Sequence, residues 1–262
     1  MNPKLRIALT RPVSPAIARC ELSHLERTPI DARRAAAQHR NYACLLEALG
    51  CELRELVALP DHPDGVFVED TAVVLQELAI LARPGAASRR FEVDSTRMAL
   101  EGLRRLRPIQ APATLDGGDV LVVGRRIFVG QSARTNHLGI EQTRTIVEPL
   151  DYHLTCVPVE RCLHLKSAVS AVDDRTLLIN PRWAESTLFR EFELIEIDPR
   201  EPFAANALRL GPALVYPSAF PRTRERLLAA GLDVHTVDLS ELAKAEGAVT
   251  CCSLIVERGR VE

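Results

Sequence analysis

One phrase of sequence occurs five times along this chain, and its spacing limits the possible folds more than any other feature. Each copy is an apolar run, a short polar turn and a second apolar run, which predicts a β-hairpin. The copies begin near residues 72, 120, 168, 207 and 252. A recurrence of about 40 to 50 residues indicates structural units repeated around an axis.

The clearest hairpin runs from Val120 to Val129, turns at Gly124 and follows the segment Thr114-Leu115-Asp116-Gly117-Gly118-Asp119. The fifth copy supplies only one strand before a turn at Glu257-Arg258-Gly259. Its missing partner is expected at the other end of the chain, in Leu5 to Leu9, so that the last unit closes on the first.

Helices and further strands are predicted between the hairpins. Alternation predicts a strand over Cys51 to Leu59, and apolar residues at helical spacing predict helices over Asp31 to Leu49, Ser88 to Leu106, Thr135 to Glu148 and Thr223 to Ala230. Five units of two hairpin strands, a helix and a further strand predict an α/β fold, a five-bladed propeller closed around a central channel. An open α/β sheet is the alternative. We expect residues 1–262 to form a single domain.

Composition excludes several functional classes. The chain is 47% hydrophobic and 26% charged with a net charge of -2, which gives no reason to expect nucleic acid or an anionic membrane as a partner. No window approaches a membrane-spanning length of apolar residues, and the N-terminus lacks a signal-peptide pattern. Seven cysteines without a C-x-x-C pair favour a reduced, cytoplasmic setting and no structural metal site.

Residues with catalytic potential cluster at the starts of the repeats. They are Asp64, Glu69 and Asp70 before the first hairpin, Asp116 and Asp119 before the second, His164 before the third and Cys251 before the fifth, with Arg89 and Arg134 after hairpins. A thiol, an imidazole and several carboxylates around one channel are typical of covalent catalysis. Each also has a structural interpretation: His164 lies between two leucines, and Cys251 and Cys252 precede an apolar strand.

Taken together, these residues resemble a known family. The resemblance rests on six segments in one order: Gly65 to Asp70, Arg83 to Arg90, Thr114 to Asp119, Ser132 to Asn136, Leu163 to Ser167 and Thr250 to Ser253. They are similar to dimethylarginine dimethylaminohydrolases, members of the guanidino-group modifying (pentein) superfamily, over about Leu5 to Val256. The resemblance implies a five-bladed α/β propeller that hydrolyses Nω-methylated arginines to citrulline and methylamines without a cofactor or metal, as a monomer or homodimer.

The resemblance also implies a role for each matching residue. Cys251 would be the nucleophile, His164 the general acid and base, and Asp116 the group that orients the imidazole, although some bacterial members carry the longer glutamate there. The remaining matches would bind substrate: Asp70 the guanidinium, Arg89 and Arg134 the α-carboxylate, with Asp64, Glu69, Phe67, Leu22 and the backbone of Ala245 lining the pocket.

The chemistry of a guanidinium requires such a set. Its carbon is a poor electrophile until carboxylates localise the charge and fix the plane. A thiolate must then attack, and the departing amine needs a proton that a histidine can supply. An S-alkyl thiouronium would form and be hydrolysed by water that the same histidine activates.

Three alternatives stay open. An arginine deiminase typically has an acid two residues after the catalytic histidine, where this chain has Lys166. A catalytically silent protein that binds arginine-like ligands is the second. The third is a zinc site at Cys251, Cys252 and His164, although adjacent cysteines do not easily bind one ion.

Overall fold

The protein, described here over residues 6–257 in a computed structural model, contains five three-stranded sheets. In chain order around the ring they are β15 (Leu254–Glu257), β1 (Arg6–Thr10) and β2 (Cys51–Glu55); β3 (Ala72–Val74), β4 (Leu78–Leu81) and β5 (Arg105–Pro108); β6 (Val120–Val123), β7 (Arg126–Gln131) and β8 (His153–Pro158); β9 (Val169–Ala171), β10 (Thr176–Ile179) and β11 (Glu193–Glu196); and β12 (Leu208–Leu210), β13 (Ala213–Pro217) and β14 (Asp233–Val237).

Every sheet follows the same pattern, an antiparallel pair extended by a parallel strand. The first sheet joins the two ends of the chain, because β1 pairs antiparallel with β15 in the register Ile7 to Val256. This closure confirms the prediction that the fifth hairpin is completed by the N-terminal strand. Leu5 and the predicted turn residues 258 and 259 lie outside the described residues.

The first strand of each unit lies on the inside of the ring. Residues of β3, β6, β9, β12 and β15 together line a central cavity of about 220 Å³. Neighbouring inner strands contact each other at β15 with β3, β6 with β9 and β9 with β12. The predicted five-bladed α/β propeller around a channel is therefore confirmed.

Six helices lie between the strands in the described part of the chain. They are α1 (Ala32–Ala48), α2 (Glu92–Leu100), α3 (His137–Val147), α4 (Leu165–Ala168), α5 (Pro221–Ala229) and α6 (Ser240–Ala243). Side chains of Asp31 and Asn136 accept backbone N–H bonds at the starts of α1 and α3, as expected for N-caps. The apolar faces of the helices pack against the sheets, as Leu46 does from α1.

Three predicted boundaries are wrong. The helix predicted over Ser88 to Leu106 is only Glu92–Leu100, because Gly102 adopts φ +80 and the chain then enters β5. The strand predicted over Cys51 to Leu59 ends already at Glu55. In the sheet of β9, β10 and β11, a 3-10 turn, Ser186–Phe189, connects β10 to β11 where the repeat predicted a helix.

Among residues 6–257, none of the helices has the length and apolar character needed to cross a bilayer.

Candidate active site

The candidate residues meet at one end of the ring, where the chain enters the inner strands. Asp70 lies two residues before β3, Asp119 directly precedes β6, His164 precedes α4 and β9, and Cys251 lies three residues before β15. Since the inner strands surround one axis, their starting ends bring side chains from distant parts of the sequence into one place. The repeat itself therefore builds the site.

His164 is held between two carboxylates. Its Nε2 lies 3.2 Å from Oδ2 of Asp116, and its Nδ1 lies 3.7 Å from Oδ1 of Asp70. Asp116 is fully buried, and its other oxygen accepts the Gly85 N–H at 2.8 Å. Asp116 thus holds the Nε2 edge of the imidazole from behind.

The buried carboxylates around His164 control its protonation. Burial disfavours the imidazolium, but Asp70, Asp119 and Asp116 outweigh burial and raise the pKa of His164 to about 9. Burial likewise disfavours a charged Asp70, yet His164 and Arg89 lower its pKa to about 2. The two groups form an ion pair at neutral pH, so the histidine is charged in the empty site.

Two glycines make this contact possible. A side chain at Gly118 would place its Cβ 2.5 Å from Nδ1 of His164 and 2.7 Å from Oδ1 of Asp70. A Cβ at Gly117 would lie 2.0 Å from the carbonyl oxygen of Glu69. The Gly118 N–H also donates to Asp70 at 3.0 Å. The Asp-Gly-Gly-Asp segment is therefore required by close packing around the histidine.

Two acids of the site have a pKa raised to about 6. Burial raises the pKa of Asp119 to about 6, and its carboxylate accepts the Leu165 N–H at 3.0 Å and the Ser132 hydroxyl at 2.6 Å. Burial also raises the pKa of Asp64 to about 6, and Asp64 accepts the Glu21 N–H at 3.1 Å. Asp119 thus anchors the chain beside His164, whereas Asp64 faces the pocket.

Cys251 is half-buried and lines the same pocket as His164. Burial and the carboxylates of Glu69 and Asp70 raise the pKa of the Cys251 thiol, so the thiol is neutral while the site is empty. Cys252 points away into the core, where its Sγ lies 3.6 Å from the Ala248 carbonyl oxygen.

Arg89 lines the pocket, but its guanidinium is largely committed to the protein. It donates to Asp70 at 2.5 Å, to Glu92 at 2.8 Å and to the Phe67 carbonyl at 3.0 Å. Behind it lies the fully buried Arg11, which donates to the carbonyls of Gly65 and Glu92. Arg89 therefore fixes Asp70 in place in the empty site.

Glu69 is directed away from the pocket. Its carboxylate accepts Lys166 Nζ at 2.5 Å and the Thr250 hydroxyl at 2.7 Å, and both partners line the central cavity with it. The residue still touches the cysteine segment, because its N–H donates to the Cys251 carbonyl at 3.1 Å. Glu69 thus separates the pocket from the channel.

Arg134 is the less constrained cation of the pocket. It is half-buried, donates to the Ser23 hydroxyl at 3.1 Å and forms no ion pair within residues 6–257. Ser23 belongs to a loop, residues 21–25, that covers this side. Glu246, at φ +59, accepts the N–H groups of Ser23, His24 and Leu25 at 3.0, 2.6 and 2.8 Å.

The structure brings together most of the predicted set around a small cavity. Its lining includes Asp64, Phe67, Asp70, Arg89, Arg134, His164, Ala245 and Cys251. Asp116 lies behind His164, Glu69 faces the channel, and Leu22, within the loop of residues 21–25, packs against the core. The free volume is about 20 Å³, close to that of one water molecule, so an amino acid enters only when lining groups move apart.

The sequence analysis did not identify Glu92, Glu246 and Arg11, whose side chains hold other parts of the site in place. Glu92, at the start of α2, is 1% exposed and pairs with Arg89 three residues earlier. The spacing of three residues was a usable signal within the predicted helix, although Arg89 lies in the 3-10 turn Ala87–Arg89 before α2. Glu246 and Arg11 gave no such signal, since their partners come from loops distant in sequence.

The one candidate metal cluster within residues 6–257 consists of Asp70, Asp116 and His164. Their ligand atoms lie within 4.8 Å of one another, and the two ring nitrogens of His164 face the two carboxylates. Cys252 is sealed in the core. The absence of a resident metal stays a prediction.

Comparisons with known proteins identify close relatives. No family model matches the chain. The N(G),N(G)-dimethylarginine dimethylaminohydrolase of Streptomyces coelicolor is 40% identical, over 94% of this chain and 95% of its own. That of Pseudomonas aeruginosa is 36% identical, over 88% and 91%. A solved structure of DDAH from P. aeruginosa, a cysteine-to-serine mutant complexed with citrulline, gives a TM-score of 0.91 at 31% identity and covers 97% of this chain and 99% of the other.

Proposed function

The chain belongs to the N(G),N(G)-dimethylarginine dimethylaminohydrolase family, and from this we propose that it hydrolyses Nω-methylated arginines to citrulline and a methylamine through a covalent cysteine intermediate. One observation carries the proposal: Cys251 and His164 line one pocket with Asp70 and Arg134. Asp70 is opposite in charge to the guanidinium of an arginine substrate, and Arg134 is opposite in charge to its α-carboxylate. Citrulline bound to the P. aeruginosa relative supports the product.

Substrate binding activates the thiol. In the empty site, burial, Glu69 and Asp70 keep the pKa of Cys251 raised. A guanidinium arriving beside Asp70 adds a positive charge next to the sulfur, which lowers the cost of the thiolate. The thiol proton leaves to solvent, because His164 already carries one. The nucleophile therefore forms only when its electrophile is present.

His164 then acts as acid and afterwards as base. The Cys251 sulfur bonds to the guanidinium carbon, and the protonated imidazole donates its proton to the methylated nitrogen as the C–N bond breaks. The neutral imidazole next removes a proton from water, whose oxygen attacks the thiouronium carbon. The C–S bond breaks, the hydroxyl proton of the adduct passes to solvent, where the released amine takes it up, and citrulline leaves with the thiolate and the charged histidine restored.

The α-carboxylate is assigned to Arg134. Its guanidinium has no carboxylate partner within the described residues, and a planar fork suits bidentate binding of a carboxylate. Arg89 is assigned mainly to holding Asp70, because Asp70, Glu92 and backbone carbonyls already take most of its donors. Asp64 shares the pocket lining with Arg134, and its backbone carbonyl accepts from Arg89 at 3.3 Å; its carboxylate is assigned to the α-ammonium group.

Glu69 favours methylated substrates over arginine. Its carboxylate is occupied by Lys166 and Thr250, which leaves Asp70 as the acid available at the cysteine end of the pocket. A nitrogen that carries methyl groups donates fewer hydrogen bonds, so it loses less by facing a site with one acid. An arginine deiminase-like activity on unmethylated arginine is the weaker candidate.

The test is a parallel assay of the purified protein with dimethylarginine, monomethylarginine, arginine and agmatine, scoring citrulline and the released amine. We expect turnover of the methylated arginines and much slower turnover of arginine. Cys251→Ser is expected to abolish turnover while Cys252→Ser retains it, and a haloacetamidine should label Cys251 selectively. Turnover of arginine above that of both methylarginines, or no selective labelling, would contradict the proposal.

We further propose that the chain is a single catalytic domain that acts in the cytoplasm as a monomer or homodimer. Pairing of its first and last strands supports one domain. All seven cysteines are free thiols, which is typical of reducing compartments. Light scattering of the purified chain measures its mass; a trimer or larger assembly would contradict the assignment.

A further inference from the structure

A second and larger cavity lies beside the candidate active site. It has a volume of about 410 Å³, within the range of pockets that hold small organic molecules. Leu163 and Glu246 line both this cavity and the pocket of Cys251. We call it the aromatic cleft, after Trp183, Phe203 and Phe220 in its wall.

The wall of the aromatic cleft is mainly apolar and is not filled by the protein. Trp183 and Phe203 meet edge to face with ring centroids 5.1 Å apart, yet Phe203 is 49% exposed. Leu239 and Pro217 continue the same wall. A ligand with an apolar body would remove this surface from water, at a gain of roughly 25 cal/mol per Å².

The polar groups left free in the cleft are mainly hydrogen-bond donors. Arg161 donates to the Arg182 carbonyl at 3.2 Å but has no carboxylate partner within residues 6–257. Ser167, also in the lining, makes no side-chain hydrogen bond in the described part of the chain. The carboxylate of Glu246 already accepts three N–H groups. Of the charged side chains Arg161 and Glu246 in this lining, the carboxylate therefore has its hydrogen-bond partners, whereas the guanidinium has no charged partner among the described residues.

We propose that the aromatic cleft binds a small organic anion, a carboxylate or sulfonate with an aromatic or branched apolar body. Its body packs against Trp183 and Phe203, and its charge pairs with Arg161. This site is separate from the proposed hydrolysis and does not depend on it. Because Leu163 precedes His164 and Glu246 holds residues 23–25, an occupied cleft contacts the groups that shape the neighbouring pocket.

Trp183 is the only tryptophan of the chain, so its fluorescence reports occupancy directly. The full-length protein is titrated with 4-phenylbutyrate and with 4-phenylbutan-1-ol, which has the same body without the charge. We expect a saturable change in Trp183 emission, with the carboxylate bound about tenfold more tightly than the alcohol, as for loss of one charge-assisted hydrogen bond.

Three variants identify the residue that binds the anion. Arg161→Gln should weaken 4-phenylbutyrate about tenfold and leave the alcohol unchanged. Arg182→Gln, a matched loss of a neighbouring charge, and Arg134→Gln, a loss of the charge in the Cys251 pocket, should both bind it as the wild type does. The inference fails if Trp183 emission shows no saturation, if acid and alcohol bind equally, or if Arg134→Gln weakens binding while Arg161→Gln does not.

Discussion

Oδ2 of Asp116 lies 3.2 Å from Nε2 of His164, although the two residues are 48 positions apart in the sequence. The aspartate is fully buried and receives the Gly85 N–H on its other oxygen, so its position is fixed by the backbone of the preceding unit. The imidazole therefore presents its Nδ1 edge towards Asp70. This contact makes the protonation of the histidine the most sensitive property of the site.

Asp116→Asn is expected to lower kcat by about 100-fold or more, the usual size of general acid catalysis. Removing one of the carboxylates that raise the pKa of His164 moves that pKa down. Because the charged imidazole donates the proton to the leaving amine, the basic limb of the kcat profile should shift to lower pH. The measurement is kcat against pH, with the exposed Asp94→Asn as control; an unshifted basic limb would show that Asp116 does not act through the histidine.

The pKa of His164 also predicts how stability depends on pH. A histidine that titrates at about 9 in the folded chain and at 6.5 in the unfolded chain stabilises the fold fully below pH 6.5. The contribution, about 3 kcal/mol, is lost as pH rises from 6.5 to 9. Urea unfolding of wild type and His164→Gln at pH 6, 7.5 and 9.5 should therefore show a wild-type decline that is smaller in the variant. Parallel declines in both proteins would place the histidine pKa near its ordinary value.

Gly118→Ala tests the close packing around the histidine. The new Cβ would lie 2.5 Å from His164 and 2.7 Å from Asp70, so both side chains must move apart and kcat should fall steeply. Overpacking costs about 1 to 3 kcal/mol of stability. Gly124→Ala is the matched control, because φ there is +58 and a Cβ meets nothing within 4 Å; it should lose stability but keep kcat. Equal kcat values for the two variants would contradict the model of the site.

The sequence predicted the ring, its closure and most of the pocket, because hairpin pattern and repeat spacing are local signals that fix where chain segments enter the axis. It predicted the end of α2 wrongly, since Leu103 and Leu106 continue the helical spacing beyond Gly102, whose φ of +80 ends the helix. The direction of the Glu69 carboxylate was not readable. It depends on Lys166, which is brought 2.5 Å away only by the folded ring. The direction of the Arg89 side chain was not readable either, because its partner Asp70 lies in another element.

Glu246→Gln is expected to loosen the loop of residues 21–25. Its carboxylate accepts three successive N–H groups, and a neutral amide binds them less strongly than a charged acceptor. Amide exchange at Ser23, His24 and Leu25 should therefore accelerate by about tenfold or more, and KM for dimethylarginine should change more than kcat. Hydrogen exchange followed by mass spectrometry measures the loop, with Glu225→Gln on α5 as control. Unchanged exchange in this segment would mean that the loop is held by other contacts.

Arg134→Gln separates binding of the α-carboxylate from the chemistry at the guanidinium. Because Arg134 has no other anionic partner within residues 6–257, its removal should raise KM for dimethylarginine about tenfold or more, as for a lost charge-assisted contact, with kcat changed less. Nω,Nω-dimethylagmatine lacks the carboxylate, so the same variant should leave its kcat/KM nearly unchanged. Arg89→Gln should instead depress kcat for both substrates, since its loss releases Asp70 from a 2.5 Å ion pair and displaces the acid that faces the guanidinium. If Arg134→Gln slows both substrates alike, the arginine does not read the carboxylate, and the division of roles between the two arginines is wrong.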